Sequence, residues 1–304
     1  MNLDRALVLS AAQKLQDAGI DSAENDATLL LKHAVNEDQF HELIAKRASR
    51  IPLQHLTGTA YFRHLELAVG PGVFVPRPET ELLAQVAVDC VPKILASQLE
   101  AAQVKASVTK PIVFDLCAGS GAVGLSVATE VANVSVHVVE VSQDALPWLM
   151  QNTDTYAIET EANNSRVTVH ALDATDLEKF TQWFDTADVV LSNPPYIPDE
   201  MIPRDPEVRE HDPKLALYGG PDGLDVPTKV AVTAALLLKS GGIFAMEHAD
   251  VQGEGETGLP AALRAMTDEK GNNVWQDVVD HNDYNALPRF TSAIRAERTN
   301  EVQG

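Results

Sequence analysis

The feature that most restricts the fold of this chain is a short apolar run that passes directly into a glycine-rich loop. Residues 111–117 read Pro-Ile-Val-Phe-Asp-Leu-Cys, and residues 118–124 read Ala-Gly-Ser-Gly-Ala-Val-Gly. The β-branched and apolar residues predict a buried strand. The glycines allow backbone with positive φ, and a helix that opens near Ala122 offers unpaired N–H groups and the positive end of its dipole. The pattern therefore predicts a strand, a ligand-binding loop and a helix in an α/β sheet.

Two further predicted strands end in acids. Residues 135–140 form an apolar run that closes with Glu140, about 19 residues past Gly121, where an acid fits the hydroxyls of a ribose. Residues 167–174 form a third run that ends near Asp173, which is placed to meet an adenine amino group. Together with the glycine loop, these acids predict recognition of a nucleoside.

A fourth apolar run, residues 187–192, is followed by the tetrapeptide Asn193, Pro194, Pro195 and Tyr196. Two prolines remove two backbone N–H groups, so the segment presents acceptors only, namely the Asn193 side-chain oxygen and the Pro194 carbonyl, beside an aromatic ring. Such a pocket suits a planar NH₂ group. Taken alone, the same residues also fit an ordinary Asn-Pro turn that leaves a strand.

Two classes of nucleotide-binding enzyme compete for this pattern. The glycine spacing also matches the dinucleotide fingerprint, which is weak when it stands alone. A nicotinamide enzyme needs a hydride-transfer site downstream, whereas this chain has an amide-accepting loop after the fourth strand. The series of glycine loop, acid, acid and Asn-Pro-Pro-Tyr resembles the seven-strand S-adenosylmethionine-dependent methyltransferases. That resemblance implies a mostly parallel, doubly wound sheet.

Other segments narrow the resemblance to the HemK/PrmC family. They are residues 52–58 (Pro-Leu-Gln-His-Leu-Thr-Gly), 73–81, 207–213 with 216–220, 246–248 and 288–291. Proteins of this family methylate N5 of the glutamine in the Gly-Gly-Gln motif of class I peptide chain release factors. The resemblance covers the chain from Met1 to about Ala296. The stretch 282–288 departs from the family pattern, which leaves the last hairpin open.

The resemblance implies a site. The expected catalytic residues are Asn193, Pro194 and Tyr196. Substrate contacts are expected from Asn193, Pro194, Pro195, Tyr196, Phe74, Arg77 and Glu79. S-adenosylmethionine, with S-adenosylhomocysteine as its product, is expected at Asp115, Ala118, Gly119, Ser120, Gly121, Gly124, Glu140, Asp173, Ala174 and Asn193.

Two of these residues have a plainer alternative. Arg77 and Glu79 fit either a role at the entrance for the target glutamine or a local ion pair at a helix N-terminus. His248 fits a supporting hydrogen bond better than a general base. No metal is expected, because the histidines show no ligand spacing with cysteine or carboxylate.

The chain is expected to divide into a helical bundle at 1–50, a hairpin linker at 51–76 and a methyltransferase domain at 77–304. Apolar residues recur at helical spacing through the first ~50 residues. The bundle is interpreted as the reader of a protein substrate, although it also fits a role in packing alone. The basic stretch 46–50 is interpreted as the solvated last turn of a helix.

Composition restricts the partners. The 304 residues carry a formal net charge of −21, which disfavours a partner held through phosphates, so no nucleic acid is expected. The two cysteines, Cys90 and Cys117, fit a reducing cytosol. No run of ~18 apolar residues and no signal peptide are recognised, so we expect a cytoplasmic protein without a membrane span.

The chemistry of the expected substrate favours orientation over base catalysis. An amide nitrogen is a poor nucleophile because its lone pair is delocalised. A site that accepts both of its hydrogens aims that lone pair at the methylsulfonium, and the proton leaves after methyl transfer. Three alternatives stay open: a glutamine methyltransferase of a ribosomal protein, a DNA adenine-N6 methyltransferase, and a non-catalytic S-adenosylmethionine-binding adaptor. The DNA enzyme needs a basic surface for a flipped base, which this acidic chain lacks.

Overall fold

The N-terminal part folds into helices with a core of their own. A computed structural model describes residues 3–102 and 109–298. The first helices are α1 (Leu3–Asp17), α2 (Ala23–His33), α3 (Glu37–Ala48) and α4 (Leu53–Thr57). Leu15, Leu30 and Phe40 are fully buried among them. The helical prediction for this part of the chain agrees with the structure.

The starts of two of these helices illustrate how local chemistry sets their ends. The Asn36 side chain accepts a hydrogen bond from the Gln39 N–H and caps α3. At α2, which begins at Ala23, the Ser22 hydroxyl donates to the Asp26 carboxylate at 2.8 Å and caps no backbone N–H. A side-chain cap is therefore present at α3 and absent at α2.

The prediction of a solvated helix end at residues 46–50 is wrong for both of its arginines. Lys46 is half exposed and pairs with Glu42 within α3, as a surface lysine does. Arg47 is only 7% exposed and Arg50 is partly buried, and both pair with acids. Their partners include Glu207, more than 150 residues away in the sequence. Helical spacing cannot identify so distant a partner.

A small hairpin connects the helices to the sheet. Strands β1 (Thr59–Phe62) and β2 (Leu65–Ala68) pair in antiparallel register. Phe62, Leu65 and Leu67 are fully buried and belong to a core shared with the large sheet. A single turn of 3-10 helix, Pro78–Thr80, then leads into α5 (Glu81–Ala102). The hairpin therefore shares the core of the sheet, and β1 also contacts α4.

The sheet has seven strands in the order β5-β4-β3-β6-β7-β9-β8. They are β3 (Ile112–Leu116), β4 (Ser135–Glu140), β5 (Arg166–Ala171), β6 (Ala187–Ser192), β7 (Leu238–Glu247), β8 (Trp275–Asn282) and β9 (Pro288–Arg295). The first five in this order are parallel, and β9 runs antiparallel to both of its neighbours. This confirms the predicted seven-strand fold.

Helices cover both faces of the sheet, as a doubly wound arrangement requires. Alternating side chains of β3 show this directly: Val113 belongs to one apolar core and Phe114 to the other. The remaining helices are α6 (Ala122–Glu130), α7 (Leu146–Thr155), α8 (Ala157–Ala162), α9 (Pro206–His211), α10 (Lys214–Leu217), α11 (Asp225–Leu237) and α12 (Leu259–Ala265). Single 3-10 segments cover Leu177–Trp183 and Asp250–Gln252.

The order of the strands determines where a ligand can bind. From β3 the chain proceeds outward to β4 and β5, and it then returns to the other side of β3 as β6. Leu116 and Ser192 lie side by side at the carboxyl ends of β3 and β6. In open α/β sheets such a reversal leaves a crevice outside the strand ends. The glycine loop and Asn193 therefore leave the sheet next to each other.

The last hairpin forms although its sequence departs from the family pattern. Asp283 closes the turn between β8 and β9 by accepting hydrogen bonds from the Asn285 and Leu287 N–H groups at 2.8 and 3.1 Å. The Arg289 side chain donates to the same carboxylate. One aspartate thus organises the turn that the sequence left open.

The helical stretch Pro78–Glu100, which includes the 3-10 turn and most of α5, has the length and mean hydropathy, 1.3, of a membrane span. This is weak evidence, since core helices of globular proteins meet the same test. The helix packs against α6 and against strands β6 and β7.

Candidate active site

A cavity of about 450 Å³ opens at the carboxyl ends of β3 to β6, within the range of small-molecule and cofactor sites. It has two halves. We call residues 115–123, 139–145 and 172–175 the glycine-loop half, and residues 72–80, 193–197 and 208–218 the Asn193 half. The predicted site residues that line it are Phe74, Arg77, Asp115, Ala118, Gly119, Ser120, Glu140, Asp173, Ala174, Asn193, Pro195 and Tyr196.

The glycine loop has the backbone that its sequence predicts. Gly119 and Gly121 have φ of 55° and 85°, and Gly121 is the residue that precedes α6. A side chain added at Gly119 would point into open space, so this backbone faces the cavity without obstruction. Gly124 does not line the cavity, and a Cβ there would overlap Val138 of β4. Its role is close packing of α6 on the sheet.

Glu140 joins the end of β4 to the glycine loop. Its two carboxylate oxygens accept hydrogen bonds from the Gly119 and Ser142 N–H groups, each at 2.7 Å. The residue is 8% exposed and lines the cavity. An ionised carboxylate has about four acceptor positions. Glu140 therefore retains acceptor capacity for ligand hydroxyls after these two bonds.

The other two acids of this half differ in environment. Asp115 is buried, and burial raises its pKa to about 7, against a hydrogen bond from the Gly124 N–H that favours the carboxylate. Asp173 is exposed at the rim, where its Oδ1 accepts from both the N–H and the hydroxyl of Thr175. Asp115 thus holds the first turn of α6 from inside the protein, whereas Asp173 presents a carboxylate at the opening of the cavity.

Asn193 is oriented by a residue that the sequence analysis missed. Its Nδ2 donates to the hydroxyl oxygen of Thr80 at 3.3 Å. With its NH₂ held by Thr80, Asn193 has its side-chain oxygen left as an acceptor.

Tyr196 is held by two further residues from distant segments. Its hydroxyl donates to Glu247 Oε1 at 3.0 Å, and its carbonyl accepts from the Gln252 side chain at 2.9 Å. Glu247 is 2% exposed, and burial raises its pKa. Burial and the neighbouring carboxylate also raise the pKa of Tyr196 well above its ordinary value, so the phenol stays protonated. Glu247 is the last residue of β7, and Gln252 lies in the 3-10 segment that follows it.

Arg77 and Glu79 behave differently from each other. Arg77 lines the cavity, lies over the Phe74 ring at 5.0 Å and forms an ion pair with Asp212 at 3.0 Å. The alternative of a local ion pair with Glu79 is therefore wrong. Glu79 does not line the cavity, and neither does the buried Pro194. A substrate role for Glu79 and for the Pro194 carbonyl stays a prediction.

One wall of the Asn193 half comes from a segment for which the sequence suggested no role in the site. It is the stretch that contains α9 and α10, and its cavity-lining residues are Val208, Pro213, Leu215, Ala216, Leu217 and Tyr218. The Ile197 N–H donates to the Leu217 carbonyl at 2.8 Å, and the Gly219 N–H donates to the Ile197 carbonyl at 2.9 Å. This pairing fixes the wall beside the Asn-Pro-Pro-Tyr loop.

Neither His248 nor Cys117 has the surroundings of a reactive side chain. His248 is fully buried, lies outside the cavity and contacts the Ala249 carbonyl and Asp280. Burial raises the pKa of the Cys117 thiol, which keeps it protonated. Among residues 3–102 and 109–298, no group of three or more His, Cys, Asp or Glu side chains is arranged to hold a metal ion.

A sheet with this strand order, a glycine loop at its reversal point and an Asn-Pro-Pro-Tyr loop beside it define a methyltransferase of the seven-strand class. A family model described as Conserved hypothetical protein 95 matches residues 94–212. A release factor glutamine methyltransferase from Streptomyces coelicolor is 42% identical, over 97% of this chain and 99% of that protein. A release factor glutamine methyltransferase from Mycolicibacterium smegmatis is 38% identical over the same shares. The chain belongs to the release factor glutamine methyltransferase family.

One relative differs in its substrate. A 4-amino-L-phenylalanine/4-methylamino-L-phenylalanine methyltransferase from Streptomyces pristinaespiralis is 34% identical, over 84% of this chain and 85% of that protein. Its name describes a methylated amine rather than an amide.

Proposed function

We propose that this chain transfers a methyl group from S-adenosylmethionine to N5 of the glutamine in the Gly-Gly-Gln motif of class I peptide chain release factors. The observation that carries the proposal is the orientation of Asn193. Its NH₂ is engaged by Thr80, which leaves its oxygen to accept from a planar NH₂ group in the cavity. The names of the relatives at 42% and 38% identity support the same substrate.

The glycine-loop half fits S-adenosylmethionine. Glu140 is the acceptor for the ribose hydroxyls, and the open backbone at Gly119 lets the ligand approach the loop closely. Asp173, exposed at the rim, is placed to accept from the adenine amino group. When bound, S-adenosylmethionine supplies an electrophilic methyl group on a sulfonium.

The Asn193 half fits a primary amide. Asn193 accepts one hydrogen of the substrate NH₂, and we assign the second to the Pro194 carbonyl, whose missing neighbour N–H leaves an acceptor-only loop. Holding both hydrogens directs the nitrogen lone pair toward the methyl group, an effect of orientation and fixed dipoles. The nitrogen loses its proton after it has gained the methyl group, so no strong base is needed in the site.

The Tyr196 ring closes the side of this pocket. The hydroxyl of Tyr196 donates to Glu247, which fixes the ring, and its main-chain carbonyl accepts from Gln252, which fixes the loop. An aromatic face near a sulfonium stabilises the cation by about 1 kcal/mol. Phe74 and Arg77 line the Asn193 half, and we assign to them the contact with the substrate backbone.

The net charge of the chain favours some classes of substrate over others. A net charge of −21 opposes DNA or RNA, whose phosphates need clustered cations. Binding of a glutamine in a protein does not require clustered cations. This holds for a glutamine of a ribosomal protein as well as for that of a release factor. The amine substrate of the S. pristinaespiralis relative is the second candidate, because an aromatic NH₂ group offers the same two hydrogens to Asn193.

Methyl transfer from radiolabelled S-adenosylmethionine tests these candidates in parallel. The acceptors are an intact class I release factor, the same factor with the motif glutamine changed to asparagine, 4-amino-L-phenylalanine, purified ribosomal proteins and a DNA duplex. We expect label on the intact factor alone, at the motif glutamine by mass spectrometry. Label on the amine or a ribosomal protein, with none on the factor, would reassign the substrate. The proposed setting is the cytoplasm, where release factors act.

A further inference from the structure

We propose that Glu207 is a positioning residue that ties the N-terminal helices to the wall of the Asn193 half and so sets the shape of the substrate pocket. The inference rests on the proposed function for its substrate, but not for its structural basis. Glu207 is the second residue of α9, and the next residue, Val208, lines the cavity. It touches neither the cavity nor the glycine loop, so it acts through the wall.

Glu207 belongs to a buried cluster of four charged side chains. Arg47 Nε pairs with Asp26 Oδ2 at 2.8 Å, and Arg47 Nη1 pairs with Glu207 Oε1 at 2.6 Å. Arg50 Nη2 pairs with Glu207 Oε2 at 2.5 Å. The side chains of Asp26, Arg47 and Glu207 are 3%, 8% and 12% exposed, and that of Arg50 is 20% exposed. Asp205 Oδ1 also lies 3.8 Å from Arg50 Nη2, and its side chain is about half exposed. The two arginines therefore face two buried acids and a third acid at the surface.

The two arginines belong firmly to the N-terminal helices. Arg47 lies in the last turn of α3, and Arg50 donates to the Gly19 carbonyl at 2.6 Å in the turn after α1. Arg50 has a φ of 69°, a left-handed conformation that non-glycine residues seldom adopt. These contacts fix the guanidinium groups from the side of the helices. Glu207, the acid that both arginines bind, belongs to α9, and the residue after it lines the cavity.

The charge of Glu207 is maintained by its neighbours. Burial opposes its ionisation, but hydrogen bonding with Asp205 and the two arginines lowers its pKa. Asp205 also caps α9 by accepting from the Glu207 N–H at 3.0 Å. The N-terminal end of α9 is thus held by a cap and by two charged hydrogen bonds.

The other end of α9 is held by a second ion pair. Asp212 directly follows the helix and binds Arg77 at 3.0 Å. Arg77 itself lines the cavity and lies over Phe74. Six residues of helix are therefore anchored at one end to the N-terminal helices and at the other to the segment that follows the hairpin. So short a helix has little stability of its own, and the two anchors fix where Val208 lies.

Removal of one charge from the cluster should loosen the wall without disturbing the glycine loop. A buried ion pair contributes little net stability, but removal of one partner leaves a buried charge uncompensated. Glu207→Gln keeps the shape of the side chain and leaves the two arginines opposite one buried acid, Asp26, and the half-exposed Asp205. We expect α9 to move or open locally, and the substrate amide to be placed less accurately.

Glu207→Gln in the full chain tests this, with Glu254→Gln as the matched control. Glu254 forms a two-point pair with Arg264 that is about half exposed and lies outside the cavity. Three quantities are measured: amide hydrogen exchange across 206–218 and 112–140, the affinity for S-adenosylhomocysteine, and kcat/KM on a short peptide with Gly-Gly-Gln. A short peptide does not reach the N-terminal helices, so a loss of activity on it reports on the pocket.

For Glu207→Gln we expect faster exchange in 206–218, unchanged exchange in 112–140, unchanged product affinity and a fall of about tenfold or more in peptide kcat/KM. The control should match the wild type in all three. If Glu207→Gln does not fold, Arg50→Gln combined with Glu207→Gln restores the charge balance, and the same measurements are made on that protein. Unchanged exchange across 206–218, or peptide activity within about twofold of wild type, would overturn the inference.

The exchange measurement keeps this test separate from the proposed function. If the wild-type protein does not methylate the peptide or the intact factor, the substrate assignment fails. Exchange across 206–218 still decides whether Glu207 holds the wall. Faster exchange that spreads equally over 112–140 would also count against the inference, because it would make Glu207 a general stabilising residue.

Discussion

The two halves of the cavity are built in different ways. In the glycine-loop half, Glu140 binds backbone N–H groups 21 and 2 residues away, and Asp115 binds one 9 residues away. In the Asn193 half, the side-chain pairs join residues 113, 51 and 135 positions apart. The first half follows from consecutive strands and loops, whereas the second depends on tertiary contacts. Substitutions should therefore act locally in the first half and spread across segments in the second.

The largest loss of activity is expected for substitution of Asn193, whose side-chain oxygen is proposed to bind the reacting NH₂ group. Asn193→Ala removes the acceptor for the substrate NH₂ and should lower kcat by about a hundredfold to a thousandfold, as loss of a preorganised polar contact does. The affinity for S-adenosylhomocysteine, measured by calorimetry, should change little. Asn193→Asp retains an acceptor and should be impaired less. Near-normal turnover of the alanine variant would remove the proposed mechanism.

The next effect concerns pH and the pair between Arg77 and Asp212. Burial, opposed by Arg77, raises the pKa of Asp212 from 3.8 to about 6. Because the folded state binds this proton more tightly, the stabilisation is complete below pH 4 and is lost as the pH rises through 6. Relative to Asp212→Asn, the wild type should therefore lose about 2–3 kcal/mol of unfolding free energy between pH 4 and pH 7.

Urea denaturation of the wild type and Asp212→Asn at several pH values in that range measures this difference. Arg77 and Asp212 belong to the Asn193 half, so the part of the pH dependence that Asp212→Asn removes should lie in substrate KM rather than in cofactor affinity. A difference between the two proteins that does not vary with pH would contradict the raised pKa.

Glu140 tests the glycine-loop half. Glu140→Ala removes a buried carboxylate and leaves the Gly119 and Ser142 N–H groups without their acceptor. We expect the affinity for S-adenosylmethionine and for its product to fall equally, by about 1–3 kcal/mol. Peptide KM at saturating cofactor should stay near normal, since the second half is untouched. Calorimetric affinities equal to those of the wild type would exclude a role in ribose binding.

The smallest effect is expected at the hydroxyl of Tyr196. Tyr196→Phe keeps the ring and removes the hydrogen bond to Glu247, which can respond by taking up a proton because burial already raises its pKa. The expected cost is about 1 kcal/mol, or less than tenfold in turnover. Tyr196→Ala, which also removes the ring, is the comparison. Equal losses in both variants would place the function of Tyr196 in its hydroxyl rather than in its ring.

The two halves also differ in how much of them the sequence predicted. Local sequence patterns predicted the strands and the glycine loop. They also predicted Glu140 and Asn193, and both residues lie at the strand ends where the patterns place them. Thr80, Glu247 and the wall at 208–218 were missed, because their roles depend on which distant side chain each one meets. Arg47 and Arg50 were misinterpreted for the same reason: a basic helix end looks solvated until the buried acid opposite it is known.

The last turn of the Asp283 hairpin illustrates the intermediate case. The sequence departed from the family pattern, yet an aspartate that accepts two backbone N–H groups and an arginine is enough to close the turn. Turn chemistry of this kind is local and could have been predicted from Asp283 and its neighbours.

The buried charges around Glu207 have a consequence for engineering. A truncated protein that begins after residue 50 loses both arginines and retains the acid, so its failure to act would not distinguish lost recognition from an uncompensated charge. A chimera that carries the N-terminal helices of a relative meets the same difficulty unless the donor supplies matching cations. The modules of this enzyme can be exchanged only together with the charges that join them.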